Sequence, residues 1–126
     1  MNKKSTKKKD FEILFYESLL EKKPNFTQVL SCLGDAYTRK GFYRESLEVD
    51  KKLVVLRPDD PIARYNLSCT LSLLGDAERA LEELKRAILL GYDDFSYILK
   101  DPDLENIRTH PTFKKFYQKL HQLKPL

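Results

Sequence analysis

Residues 27–58 laid over residues 61–92, an offset of 34, bring like residues together. Leu33 meets Leu67, Gly41 meets Gly75, Leu47 meets Leu81, Glu48 meets Glu82, Lys51 meets Lys85 and Leu56 meets Leu90, six identities in 32 positions. Ser46 with Ala80, Lys52 with Arg86 and Val54 with Ile88 add similar pairs in the same register. A period of this length is the mark of a helical repeat, because one unit of two helices cannot bury its apolar face without a neighbour.

Each unit reads as two amphipathic helices around a short turn. Val29, Leu30, Leu33, Ala36 and Tyr37 recur at helical spacing before Gly41; Leu47, Leu53 and Val54 resume the stripe, and Pro58 ends it. In the second unit Leu67, Leu71 and Leu74 precede Gly75-Asp76, and Ala80, Leu81, Leu84, Ala87, Ile88 and Leu90 follow. Glycine at such a turn supplies the left-handed backbone that ends a helix. Pro58 and Pro61 around Asp59-Asp60 form a stop and then a cap for the next helix.

These positions resemble the tetratricopeptide repeat (TPR) family, whose unit favours Leu-Gly in helix A, an aromatic three residues on, Gly at the turn, a small residue in helix B and a closing Pro. Leu33-Gly34, Tyr37, Gly41, Ser46 and Pro58 occupy those places, and Leu67, Gly75, Ala80 and Ala87 match in the second unit. Ser68, Leu71 and Tyr92 depart from the pattern, as does Asp50, where a large apolar or aromatic residue is usual. The resemblance implies an all-α, TPR-like helical-hairpin solenoid with two full repeats, 27–58 and 61–92. Tyr16, Leu20 and Pro24 stand 34 residues before Asp50, Val54 and Pro58, so 11–24 reads as an N-terminal half-repeat, a lone helix B. After Tyr92 the register is lost. Residues 93–123 resemble the closing segment of many bacterial tetratricopeptide arrays, a C-terminal cap of short helices ending in one with Phe113, Phe116, Tyr117, Leu120 and Leu123 on a stripe.

Residues 1–10 hold five Lys and one Asp; the remaining 18 basic and 18 acidic residues balance. The net charge of +4 therefore belongs to a Lys-rich tail, expected to be disordered, and not to the folded body. No apolar run reaches the length of a membrane span, and Glu17 interrupts any signal-peptide core. The expectation is a cytoplasmic protein with Cys32 and Cys69 as reduced, partly buried thiols.

Nothing points to catalysis, a metal or a cofactor. His110 and His121 lack ligand partners at metal spacing, Asp59-Asp60 and Asp93-Asp94 precede helices as caps, and the four Gly are isolated rather than gathered in a phosphate loop. The expected role is protein binding, an adaptor rather than an enzyme. By the family's pattern the groove-facing positions are Gln28, Ser31, Asp35, Thr38 and Arg39, then Ile62, Tyr65, Cys69, Ser72 and Leu73. Tyr65 would stack on a peptide and Arg39 would pair with its carboxylate; the alternative is that some of these side chains pack against the cap. Asp35 stands where chaperone-docking members place an amide, and it would repel a C-terminal carboxylate. A second surface is helix 11–23, where Phe11, Leu14 and Phe15 have no predicted cover and suggest self-association into a homo-oligomer. Two alternatives stand beside the adaptor: nucleic-acid or acidic-partner binding through the Lys tail, and a regulatory subunit or fragment of a larger assembly.

Overall fold

The computed structural model describes residues 7–123, with the backbone alone for Leu123. Among the described residues eight α-helices follow in order: α1 Phe11–Lys22, α2 Thr27–Arg39, α3 Tyr43–Leu56, α4 Pro61–Leu73, α5 Ala77–Leu89, α6 Phe95–Ile98, α7 Glu105–Arg108 and α8 Pro111–Leu123. A 3-10 turn at Pro102–Leu104 joins α6 to α7. Each of α1 to α4 packs on the next, giving the TPR-like solenoid.

The helix ends follow from local chemistry. Asp10, Asp60, Asp76 and Asp94 each accept a first-turn amide with a side-chain oxygen, at α1, α4, α5 and α6. Gly41 and Gly75 close α2 and α4 with φ of +86° and +89°, which a side chain would strain. Asn106 on α7 donates to the Ser72 carbonyl at 2.6 Å, and Arg108 donates to the carbonyls of Ile98 and Asp101 at 2.8 and 2.7 Å. The first bond ties the non-repeating segment to α4, and the Arg108 bonds hold that segment together.

The core is lopsided. The largest apolar cluster gathers Leu67, Leu71, Leu81, Leu84, Ile98, Leu104, Ile107 and Phe113, so α4, α5 and the cap share one interior. A smaller cluster joins Ile13 of α1 to Leu33, Ala36 and Tyr37 of α2. Phe113 is buried as its stripe requires, Phe116, Tyr117 and Leu120 are half-buried, and the Leu123 side chain lies outside the described residues.

The tail expectation falls partly on residues 1–6, which lie outside the described residues. Of the rest, Lys7 donates to the Gly41 carbonyl at 2.7 Å and lies 5.7 Å from the Phe42 ring centre, while Lys9 pairs with Glu17 at 2.8 Å. Lys40 at the end of α2 binds Glu12 at 2.9 Å and also Asp10.

Candidate functional site

The helix-A face was expected to present ten residues along α2 and α4. The structure sorts them into three groups. Gln28, Ser31 and Ile62 line a shallow pocket of about 160 Å³ with Arg57 and Asn66. Asp35, Thr38, Tyr65 and Cys69 line a second pocket of about 200 Å³, with Gly34, Asp50, Asn66, Thr70, Tyr97, Asp101 and Asp103. Arg39 is exposed, whereas Ser72 is fully buried and Leu73 is half-buried.

For Tyr65, Cys69 and Ser72 the alternative holds, that they pack against the cap, and the contact expected of Arg39 is corrected. Tyr65 is not free to stack on a peptide: it is buried, its ring stacks on Tyr92 at 4.2 Å, and its hydroxyl donates to Asp101 Oδ2 at 2.5 Å. Cys69 and Ser72 are buried with it, because the cap lies across this half of α4. Arg39 is not a free cation either. It donates to Asp35 at 2.8 Å and to Glu12 at 3.0 Å, bracing α2 against α1. Of the two thiols, Cys32 is exposed rather than partly buried, and Cys69 is buried. Burial, with Asp101 beside it, raises the Cys69 thiol well above its ordinary pKa, so it stays protonated.

The second pocket is acidic. Asp35, Asp50, Asp101 and Asp103 line it, and its lining contains no Lys or Arg. Asp101 is fixed by its own capping geometry: Oδ1 accepts the Asp103 amide at 2.9 Å, and Oδ2 accepts Tyr65. Burial and the neighbouring charges of Asp101 and Asp35 raise the Asp103 pKa. Cys69, Asp101 and Asp103 lie within 4.8 Å of one another, but the first offers a neutral thiol and Asp101 is already occupied as a cap and acceptor. Cys69 Sγ donates to Asp101 Oδ2 at 3.7 Å, so two of the three atoms are engaged with each other.

Asp50 forms the floor, and it is the residue least expected from the pattern. It is 4 % exposed, and its Oδ2 accepts the Thr70 hydroxyl at 2.6 Å. Ser46, one turn earlier on α3, sits 2.7 Å from the Thr38 hydroxyl and 3.3 Å from that of Thr70. A polar chain thus crosses from α2 through α3 to α4. A Cβ added at Gly34 would lie 3.0 Å from Asp50 Oδ1, so the small residue in helix A admits the carboxylate. Burial pushes Asp50 up to about 7, with the Thr70 and Ser46 hydroxyls opposing the rise. The available signal was the pairing of Ser46 with Asp50 at helical i, i+4 spacing, a polar step on an otherwise apolar stripe.

Phe11, Leu14 and Phe15 are 80 %, 52 % and 46 % exposed, and the two Phe rings stack at 5.9 Å. Among the described residues no helix is long and apolar enough to cross a membrane.

No family model matches the chain. Its curated relatives include a chloroplastic protein of Arabidopsis thaliana, 34% identical over 83 residues, and Superkiller protein 3 of Schizosaccharomyces pombe, 30% identical over 76 residues. The matches cover 64% and 60% of this chain but 25% and 6% of those proteins, so the chain spans a quarter or less of each relative. Both are tetratricopeptide-containing proteins, and with the all-helical fold they support a protein-interaction role in general.

Proposed function

We propose that this chain is a non-catalytic interaction module whose helix-A face receives a basic side chain, Lys or Arg, from a protein partner. The observation that carries this reading is the partly enclosed pocket between α2, α4 and the cap, walled by Asn66 and Tyr97 and lined by carboxylates without a basic residue. Asp35 already shares its charge with Arg39, so the acid a guanidinium or ammonium would relieve is Asp103, which burial and the neighbouring Asp101 and Asp35 disfavour as a carboxylate. The contact on offer is the reverse of the one expected from Arg39, whose charge is already matched by Asp35 and Glu12. The helical-repeat relatives support a binding role, and the pocket chemistry supports the sign of the ligand.

N-acetyl-arginine amide titrated into the isotope-labelled full chain is the test, read by amide chemical shifts. Shifts confined to α2, Asn66 and the segment around Asp103 are expected, weakened by salt and by Asp35→Asn with Asp103→Asn. N-acetyl-glutamate should leave the same amides unmoved. An arginine probe that shifts nothing at the pocket, or a double variant that responds like the parent, overturns the reading.

A further inference from the structure

The segment before α1 is tied down at three points. The Asp10 side chain accepts the Ile13 amide at 3.1 Å and pairs with Lys40, just past α2. Lys9 pairs with Glu17 of α1 at 2.8 Å, and Glu17 also accepts the Tyr37 hydroxyl of α2. Lys7 reaches furthest. Its ammonium donates to the Gly41 carbonyl at 2.7 Å and stands 5.7 and 5.9 Å from the ring centres of Phe42 and Tyr43, within cation–π range.

The repeat supplies an internal comparison. The 34-residue offset lays Gly41-Phe42-Tyr43 over Gly75-Asp76-Ala77, and both glycines hold a left-handed turn. At the second turn Asp76 caps α5 by accepting the Arg79 amide at 3.2 Å, and a Cβ on Gly75 would meet open space. The first turn is built otherwise. Phe42 stands at the cap position of α3 with no side-chain cap, so a stabilising bond is given up there. A Cβ on Gly41 would collide with the Lys7 ammonium. Among the described residues the Gly41 carbonyl accepts no backbone amide, so Lys7 meets an open acceptor just past the negative end of α2. Phe42 also packs on Tyr37 at 6.1 Å, and that contact accounts for its ring. Tyr43 belongs to none of the apolar clusters, and among the described residues its ring contact is with Lys7.

We infer that the α2–α3 turn is a seat for a lysine ammonium, and that Lys7 seated there is a latch holding α1 against α2. Residues 8–10 alone separate the seat from Phe11, so the seated ammonium keeps the start of α1 beside α2. The latch depends on the charge of one exposed amine. Acylating that amine would remove the charge and the cation–π contacts. α1 would then rest on the small cluster around Ile13 and on its remaining ion pairs.

Amide hydrogen exchange of the isotope-labelled full chain is the measurement. Lys7→Gln, a neutral stand-in for the acylated residue, should speed exchange of the α1 amides about three- to tenfold. Lys7→Arg keeps the cation and should stay within about twofold of the parent. In a Tyr43→Leu background the effect of Lys7→Gln should shrink by about half or more, because one of the two rings is gone. In the parent the ε-methylene protons of Lys7 should resonate upfield of those of the other lysines, shielded by the rings. Unchanged α1 exchange in Lys7→Gln overturns the latch. An Arg variant as fast as the Gln variant overturns the role of the charge. An undiminished effect in Tyr43→Leu, or a Lys7 signal among those of the other lysines, overturns the aromatic seat.

Discussion

Replacing Asp50 by Asn should change how stability depends on pH. The Asp50 carboxyl lies on the floor of the pocket, 4 % exposed, with the Thr70 hydroxyl bonded to it. Its ordinary value is 3.8 and its folded value is about 7, so the folded chain holds this proton across a range in which the unfolded chain has lost it. The contribution of the protonated group is fully present below about 3.8 and is lost as the pH rises through about 7. The span from 3.8 to about 7, at about 1.36 kcal/mol per pH unit, comes to about 4 kcal/mol. Asn keeps an oxygen for Thr70 and cannot ionise. Its amide adds an offset of its own, but that offset is independent of pH. The assay is urea unfolding of both proteins, followed by far-ultraviolet circular dichroism, at a series of values from about pH 4 to about pH 8. Other titrating groups cancel in the difference between the two. The Asn variant should gain on the parent by up to about 4 kcal/mol across that range, with most of the gain complete by about pH 8. A difference that stays constant across the range would refute the assignment of a buried, proton-holding carboxyl at this position.

Tyr65→Phe removes the donor to Asp101 while keeping the ring on Tyr92, and it should cost about 1–3 kcal/mol in urea unfolding, since a buried carboxylate loses a partner. A loss below measurement error would mean that the cap does not depend on this bond. In native buffer a thiol reagent should modify Cys32 quickly and Cys69 only after unfolding, because Cys69 is buried and its thiol stays protonated; two equally fast thiols would contradict the placement of the cap over α4.

Much of the solenoid was legible because its determinants are local. Gly41 and Gly75 mark turns by backbone geometry, Asp60 and Asp76 mark helix starts by hydrogen bonding, and the apolar stripes mark the faces that pack. The candidate site was less legible because its determinants are distant in the chain. Tyr65 meets Asp101 36 residues on, and the segment after Tyr92 follows no repeat register that would say which face of α4 it covers. One oxygen of Asp101 caps the turn that begins at Pro102; the use of the other oxygen for Tyr65 carries no sequence signal. Asp50 read as a misfit on an apolar stripe. Its partners lie on α2, α3 and α4, and only the fold brings Gly34, Ser46 and Thr70 around it. The exposure of Phe11, Leu14 and Phe15 was legible because it needs only an apolar excess on one helix.

The lopsided core has a consequence for motion. α4 sits among α3, α5, the 3-10 turn and α7, whereas α1 rests chiefly on α2. In a linear array each element is held by its neighbours, so local opening costs least where neighbours are fewest. Rigidity therefore varies along the chain, softer at α1 and at α8, which rests on α7, and stiffest where the cap locks α4. α1 can part from α2 as a small cooperative unit, at the cost of Ile13 and the Arg39 and Lys40 ion pairs, while the rest stays folded. The acidic pocket, built around α4, keeps its shape through such excursions, and anything that clasps α1 would firm up an end of the molecule that rests chiefly on one neighbour.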